Sequence, residues 1–270
     1  MSNRKFALYI VPTPIGNISD ITLRAIEVLK EVDIVACEDT RNTQKLLNHY
    51  DIKTKCISYH KYNERERVEF FLSELRSGKR MALVSDAGCP MICDPGSILV
   101  EELRKENVEI TSLPGASAVT TFLSQVPRGG EEFTFIGFIP RTEKQIQDAI
   151  LAHSNTNTVF YDSPERIVKT LKAIQKVLPN AKIALGRELS KLFEEVVVDE
   201  ISNIIEKFGD GIKGEIVCMV YACSSCDELD VDIKIQKLLD KGFKAKEISI
   251  ILSSLFDLNK NDIYKKILNL

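Results

Sequence analysis

Residues 7–29, ALYIVPTPIGNISDITLRAIEVL, set the fold class of this chain. A short apolar run meets a loop with two prolines, a glycine and an asparagine, and the sequence then becomes helical. This order predicts a strand, a loop and a helix, the unit from which α/β proteins are built. Nucleotides often bind at such a loop, yet no G-x-G-x-x-G follows a predicted strand and no Walker A pattern occurs. The loop therefore predicts a ligand that is not held by a phosphate-binding motif.

The same alternation of short apolar runs and helical periodicity continues to residue 221. The run 80–85 contains four consecutive apolar residues, which is typical of a strand at the centre of a sheet. Ser19 or Asp20 is expected to cap the first helix, and Pro95 to occupy the first turn of a later one. The repetition predicts the α/β class, with a parallel or mixed sheet between layers of helices. Strands are expected at 6–11, 33–37, 55–58, 80–85, 108–113, 133–138, 158–161, 182–187 and 215–222.

Three domains are expected along the chain. The junction between the first two is placed near residues 113–120, which gives an N-terminal α/β domain of residues 1–115 and a C-terminal α/β domain of residues 116–224. A polar linker, CSSCDELD, follows at 223–230. Residues 230–270 then show helical periodicity in three segments, which predicts a three-helix appendage. A packing or dimerisation role and an RNA-docking role are both open for this appendage.

The composition is that of an ordinary globular protein. Of the 270 residues, 44% are apolar and 28% are charged, and the formal net charge is −3. No apolar run approaches the ~20 residues that span a bilayer, and the first apolar run is too short for a signal peptide. We therefore expect a cytoplasmic protein without a membrane partner. The slightly acidic balance provides no general basic field for nucleic acid, so RNA contacts require a local basic face.

The seven cysteines do not predict a disulfide framework, because their number is odd and no secretory signal is recognised. Cys89 and Cys93 form one close pair, and Cys223 and Cys226 form another, so zinc ligation is an alternative. The first pair lies in a Gly/Pro loop, and reduced, mostly inert thiols are the favoured interpretation. The three histidines are scattered along the chain, and we expect no metal site.

Four loops rich in Gly, Pro, Asp or Thr follow successive predicted strands. Ligands collect at the carboxyl ends of the strands in open α/β sheets, so these loops are expected to converge on one cleft. No G-x-S-x-G elbow or metal spacing is present, which leaves group transfer from a bound donor as the favoured chemistry. The four loops are Pro12–Asn17, Cys37–Arg41, Asp86–Gly96 and Pro114–Ser117.

Two long motifs resemble a known superfamily. Residues 82–100, ALVSDAGCPMICDPGSILV, resemble the signature of the tetrapyrrole methylases, which bind S-adenosylmethionine. Residues 8–47 resemble one branch of it, the ribosomal small subunit RNA methyltransferase I family. That family methylates the ribose 2′-oxygen of a cytidine in the decoding region of 16S rRNA. The match spans about residues 6 to 221 and continues in order at 113–125, 135–141, 161–171, 186–196 and 213–217.

The resemblance implies two α/β domains with the S-adenosylmethionine cleft between them, followed by the small helical domain, and it implies a homodimer. Asp86, Ala87 and Gly88 are then expected at the methionine end of the donor. Independently, the Asp86 carboxylate suits the donor's ammonium group, although a turn-capping role is the alternative. The other implied cofactor contacts are Met91, Ile92, Ser117, Ala118, Tyr161, Leu185 and Gly186, with Pro12, Pro14 and Gly16 beside the reactive methyl.

The implied acceptor is 16S rRNA or the small ribosomal subunit. A ribose hydroxyl has to be aligned and has to lose its proton, for which Glu38 and Asp39 are the candidate carboxylates. Arg41 and Arg24 are candidate orienting or phosphate contacts. Asp39 is alternatively an N-cap of the next helix. The remaining expected substrate contacts are Thr13, Asn17 and Thr40, and Arg187 with Glu188 is a candidate structural ion pair.

The sequence departs from the family pattern at three positions. Cys89 and Cys93 stand where hydroxyl residues are usual, and Glu165 stands where a histidine is common. Two other functions are kept as alternatives. One is a methyltransferase of the same superfamily that acts on a tetrapyrrole or on a diphthamide precursor. The other is a non-catalytic RNA-binding factor that retains a donor pocket.

Overall fold

The structure is a computed structural model that describes residues 6–128, 132–222, 226–256 and 259–268. Only the backbone is described at 226–230, 232, 233 and 256. Part of the predicted break PRGGEE, residues 129–131, lies outside the described part of the chain. Among the described segments, no helix combines the length and the apolar composition needed to span a bilayer.

Five parallel strands form the first sheet, in the order β3-β2-β4-β1-β5. The strands are β1 (Leu8–Ile10), β2 (Ile34–Cys37), β3 (Lys55–Ser58), β4 (Met81–Val84) and β5 (Ile110–Ser112). The helices that connect and follow them are α1 (Leu23–Glu31), α2 (Thr40–His49), α3 (Glu64–Arg76), α4 (Ser97–Lys105) and α5 (Ala118–Leu123).

The central position of β4 follows from its apolar sequence. All four residues of β4 are buried, which confirms the expected strand at the centre of the sheet. Ala82 and Val84 pack in the layer of α1 and α2, whereas Met81 and Leu83 pack in the layer of α3 and α4. Because successive side chains of a strand point to opposite faces, one apolar run fills both layers.

The second sheet is mixed, in the order β6-β7-β10-β8-β9, with β6 and β7 parallel and the other neighbours antiparallel. Helices α6, α7 and α8 cover one face. The other face packs against α5 and Ile15 of the first half, so one apolar cluster joins the two halves. The elements are β6 (Phe133–Phe138), α6 (Glu143–Ala152), β7 (Asn157–Asp162), α7 (Ile167–Gln175), β8 (Lys182–Arg187), β9 (Glu195–Glu200), α8 (Ile201–Lys207) and β10 (Ile216–Val220).

The C-terminal helices are α9 (Cys226–Asp240), α10 (Ala245–Phe256) and α11 (Lys260–Leu268). Their apolar faces pack on one another around Ile235, Ile248 and Ile263. The predicted linker at 223–230 is wrong from residue 226 onward, because α9 already begins there. The acidic residues that made this stretch look like a linker are favourable in the first turns of a helix.

The expected cap of α1 and the expected place of Pro95 are also wrong. Thr22 caps α1 by accepting a hydrogen bond from the Ala25 amide at 3.1 Å, whereas Ser19 and Asp20 belong to a short 3-10 turn. Residue Pro95 lies before α4 rather than inside its first turn. Gly96 separates the two with φ of +139°, a backbone conformation that no α-helix contains.

Candidate functional site

A cavity of about 990 Å³ lies between the two halves of the chain. This volume is at the upper end of the range for small-molecule sites. On the first half it is lined by Ile15, Asp86, Ala87, Gly88, Cys89, Ile92, Cys93, Asp94, Ser117 and Ala118. On the second half it is lined mainly by Phe138, Ile139, Arg141, Tyr161, Asp162, Ser163, Pro164, Arg166, Lys169, Glu188, Leu189 and residues 214–217.

The sheet order explains why these loops meet. Strand β4 lies between β2 and β1, so the loops that follow the three strands emerge side by side at the carboxyl edge. Of the residues expected to bind the cofactor, seven lie in the cavity wall. They are Asp86, Ala87, Gly88, Ile92, Ser117, Ala118 and Tyr161.

Six other expected cofactor contacts are absent from the wall: Pro12, Pro14, Gly16, Met91, Leu185 and Gly186. Leu185 and Gly186 are buried inside β8, and a Cβ on Gly186 would stand 2.8 Å from the Phe122 ring. In their place, the paired strand β10 presents Ile216 and Val217 to the cavity. Sequence periodicity predicted β8, but it could not show which of the two paired strands, β8 or β10, faces the cavity.

The Pro12–Asn17 loop supports the cavity more than it lines it. A Cβ on Gly115 would stand 2.7 Å from the Pro12 ring, and a Cβ on Gly16 would stand 2.8 Å from the Leu189 carbonyl. Each glycine therefore permits close packing of two protein loops. Only Ile15 of this loop reaches the cavity wall.

The Thr13 hydroxyl is already engaged within the protein. Its side chain is only 3% exposed, and its Oγ1 donates to the Ser85 carbonyl at 3.0 Å. Its backbone exchanges two hydrogen bonds of 2.9 Å with Gly88. Thr13 therefore ties the loop after β1 to the loop after β4, and its expected contact with the substrate stays a prediction.

The other expected substrate contacts lie outside the cavity wall. Asn17 accepts from the Ser19 amide at 3.1 Å and so caps the 3-10 turn. Arg24 is exposed on α1, and Thr40 is the first residue of α2. None of the three is brought into the cavity with the residues of the Asp86 loop.

The Asp86 carboxylate bridges two loops. Its Oδ1 accepts from the Asp39 amide and its Oδ2 from the Asn42 side chain, each at 3.1 Å. The alternative of a cap within its own turn is therefore replaced by a link between the ends of β4 and β2. Asp86 is exposed to the cavity, so its negative charge is also available to a cationic ligand.

Asp39 and Arg41 are occupied with each other. Asp39 accepts from the Arg41 amide at 2.8 Å, which caps α2, and from the Arg41 guanidinium at 2.8 Å. Hydrogen bonds from Arg41 lower the pKa of Asp39 to about 2. Because a carboxylate with so low a pKa is a weak proton acceptor, this low pKa disfavours Asp39 as the catalytic base. The alternative of an N-cap accounts for its position.

Two other carboxyl groups near the cavity have the opposite character. Burial and the charge of Asp86 raise the pKa of Glu38. Burial, together with the charges of Glu38 and Asp86, raises the pKa of Asp94 to about 6. Asp94 was not among the residues predicted from the sequence, although it stands in the Asp86–Gly96 loop and lines the cavity.

A buried carboxylate holds the far end of the same loop. Glu64 is 7% exposed and accepts from the Tyr59 hydroxyl at 2.8 Å and from the Gly96 amide at 2.9 Å. Burial and the adjacent Glu64 raise the pKa of Tyr59. Glu64 was not predicted either, because it begins a highly charged helix and nothing in the pattern marks it as buried.

The loop from Asp86 to Gly96, which is held at both ends by these hydrogen bonds, has an unusual backbone. Met91 and Cys93 have φ angles of 69° and 74° although neither is glycine. Such conformations cost on the order of 1–3 kcal/mol each and cluster at functional sites. Cys89 and Cys93 line the cavity, and burial raises the pKa of both thiols.

No cluster of three or more potential metal ligands occurs among the residues that the structure describes. Cys223 and the side chain of Cys226, the second pair of the zinc alternative, lie outside that part. Arg187 and Glu188, the candidate ion pair, each contact a different residue. Arg187 contacts Glu195 at 2.8 Å, and Glu188 contacts Lys191 at 2.9 Å.

The second half of the chain contributes cations that had no predicted role. Arg141, Arg166 and Lys169 line the cavity opposite the Asp86 loop. They belong to the motifs FIGFIPR and YDSPERIVKTL, which the resemblance located without a role for these side chains. The wall of the second half thus carries three cations together with the carboxylates of Asp162, Glu188 and Glu215.

The comparison with protein families identifies similarity over most of the chain. Residues 7–205 match the family model described as tetrapyrrole (corrin/porphyrin) methylases. A protein of Vibrio cholerae named ribosomal RNA small subunit methyltransferase I is 39% identical over 267 residues, which cover 96% of this chain and 93% of the relative. A protein of Pasteurella multocida with the same name is 35% identical over 274 residues, covering 98% of each.

Solved structures with the same fold are more distant in sequence. Diphthine synthase has a TM-score of 0.61 at 17% identity, over 79% of this chain and 89% of that one. The uroporphyrin-III C-methyltransferase of Thermus thermophilus, solved in complex with S-adenosylhomocysteine, has a TM-score of 0.56 at 18% identity, over 78% of this chain and 96% of that one. These likenesses describe the fold.

Proposed function

Because the chain belongs to the tetrapyrrole methylases and, within them, to the ribosomal RNA small subunit methyltransferase I family, we propose that it methylates 16S rRNA. The methyl group comes from S-adenosylmethionine, and the acceptor is the ribose 2′-oxygen of a cytidine in the decoding region. The observation that carries this proposal is the similarity to relatives of that name over nearly their whole length.

The cavity fits the donor. Asp86 offers a carboxylate for its ammonium group. Gly88 has φ of +79°, and the lack of a side chain there leaves room for close approach of a ligand. Tyr161 presents an aromatic ring from the second half. When bound, the donor supplies a methyl group on a positively charged sulfur, which is a good leaving group.

The protein's own contribution is alignment and proton acceptance. A ribose hydroxyl held in line with the donor needs little further help, since positioning alone lowers such barriers greatly. We assign proton acceptance to Asp94, with Glu38 beside it. The pKa of Asp94, about 6, is closer to neutral pH than the pKa of an exposed aspartate. Such a pKa suits a general base.

We further propose that the protein acts as a cytoplasmic homodimer on the small ribosomal subunit or its 16S rRNA. The division at 1–115, 116–224 and 230–270 is proposed to separate two halves of the catalytic unit from the helical appendage. Support for the division comes from the two separate sheets and from the independent apolar cluster of α9 to α11.

Methyl transfer from labelled S-adenosylmethionine to purified small ribosomal subunits tests the function. Digestion of the RNA is expected to release labelled 2′-O-methylcytidine. Label on a base, or transfer to a porphyrin precursor or a diphthamide precursor, would replace the rRNA ribose assignment. Calorimetry with the donor addresses the non-catalytic alternative, because a protein that does not bind S-adenosylmethionine cannot carry out the reaction.

A further inference from the structure

The two sides of the cavity differ in the charged side chains that they present. Asp86 and Asp94 line it from the first half, whereas Arg141, Arg166 and Lys169 line it from the second. The carboxylates suit the cationic groups of the donor. Any cation on the far side without a partner in the protein is therefore available to a different, anionic ligand.

The other acidic residues of the wall leave Arg141 and Lys169 unpaired. Asp162 lies 3.4 Å from Arg166. Glu188 and Glu215 also line the cavity, but both contact Lys191, at 2.9 Å and 3.1 Å. Lys191 thus balances one of these two negative charges, and neither carboxylate is paired with Arg141 or Lys169.

Arg166 organises the cationic side. Its Nη2 donates to the Pro140 carbonyl at 2.6 Å and lies 3.4 Å from Oδ1 of the buried Asp162. These contacts hold the loop that follows β6, which carries Arg141, against the start of α7. Lys169 follows Arg166 by three residues, about one helical turn, so it projects from the same side of the helix. Arg141 and Lys169 are thereby brought to one wall of the cavity.

Arg141 and Lys169 are exposed and have no ion-pair or hydrogen-bond partner in the described part of the chain. This distinguishes them from Arg166, which is paired with Asp162, and from Arg41, which is paired with Asp39. Two unpaired cations at the same wall repel one another modestly and attract a multivalent anion.

We propose that Arg141 and Lys169 contact phosphate groups of the RNA strand whose ribose is methylated. The inference rests on the proposed function and adds the surface that receives the acceptor. The donor has only one carboxylate, whereas an RNA strand carries a phosphate at every nucleotide and can engage both cations at once. Such contacts position the strand without selecting its sequence.

The salt dependence of RNA binding tests the proposal. The probe is a fluorescein-labelled, single-stranded oligoribonucleotide of the decoding-region sequence, titrated with the full chain by anisotropy between about 50 and 200 mM KCl with S-adenosylhomocysteine present. Replacement of one phosphate contact is expected to reduce the slope of log K against log salt concentration by about 0.7. Arg141→Ala and Lys169→Ala should each show this loss, and Arg141→Lys should retain the slope.

Two controls distinguish a lost phosphate contact from a general loss of positive charge and from a loss of donor binding. Lys55→Ala removes an exposed lysine at the start of β3, which is the end of the first sheet opposite the cavity loops, and should leave the slope unchanged. Calorimetry should show the affinity for S-adenosylmethionine unchanged within about twofold in all variants. In methyl transfer to small subunits, KM should rise while kcat changes little.

Unchanged salt slopes in both Arg141→Ala and Lys169→Ala overturn the proposal. A weaker donor affinity with an unchanged slope also overturns it, because the cations would then bind the donor's carboxylate. These failures are distinct from failure of the proposed function. A wild-type protein that does not methylate small subunits refutes the function, whereas wild-type activity combined with unchanged slopes refutes only the phosphate contacts.

Discussion

Replacement of Asp86 separates two roles that the structure assigns to one carboxylate. The side chain braces the loop after β2 through Asp39 and Asn42, and it faces the cavity with a negative charge. Asp86→Ala removes both, whereas Asp86→Asn removes the charge and the acceptor for the Asn42 amide but keeps an acceptor for the Asp39 amide. Asn42→Ala removes one bracing hydrogen bond and leaves the charge in place.

The expected loss of donor affinity is about tenfold. A hydrogen bond to a charged group contributes about 1.5–3 kcal/mol, and exposure of Asp86 places its contribution near the lower end. Since about 1.4 kcal/mol corresponds to a factor of ten, the dissociation constant for S-adenosylmethionine should rise about tenfold in both Asp86 variants.

The expected effect on folding is smaller. Two exposed hydrogen bonds contribute about 0.5 kcal/mol each, so Asp86→Ala should lower the free energy of unfolding by about 1 kcal/mol. For a chain of this size that corresponds to a fall in Tm of about 2–4 °C. Asp86→Asn and Asn42→Ala should each lose about half as much.

Calorimetric titration and thermal unfolding of the three variants provide the measurements. If Asp86→Asn binds the donor as tightly as the wild type, the charge makes no contribution and the reasoning fails. The same follows if Asn42→Ala weakens binding as strongly as Asp86→Ala, because the effect would then come from the brace alone.

Three further substitutions test the supporting structure. Gly16→Ala places a Cβ 2.8 Å from the Leu189 carbonyl and should destabilise the fold by about 1–3 kcal/mol in urea unfolding; wild-type stability would contradict the packing described. Glu64→Ala leaves buried donors, including the Gly96 amide, without an acceptor. It should lower the free energy of unfolding by about 2 kcal/mol more than Glu64→Gln does. Equal stabilities of the two variants would argue against the buried network. Asp94 accepts a proton only when ionised, so kcat should rise as the pH rises through about 6. Asp94→Asn should lower kcat and abolish this rise of kcat with pH. An unchanged pH profile would exclude Asp94 as the base.

Local sequence patterns predicted most of the secondary structure. The apolar run of β4 was expected at the sheet centre and lies there, because a strand covered on both faces must be apolar at every position. Helix ends were less predictable. Thr22, Ser19 and Asp20 are all competent caps, and the choice among them depends on the backbone of the intervening turn.

The α/β class, the loops at the strand ends and the family to which the motifs belong all follow from the order of residues along the chain. Which side chains of those loops meet a ligand depends on tertiary packing. Asp86 reaches Asp39 across 47 residues because β4 pairs with β2, and Thr13 is buried because β4 also pairs with β1. Arg141 and Lys169 share one wall because Arg166 fastens their two segments together. Periodicity reports only which face of an element is apolar, whereas these contacts follow from the order of the strands and the packing of their loops.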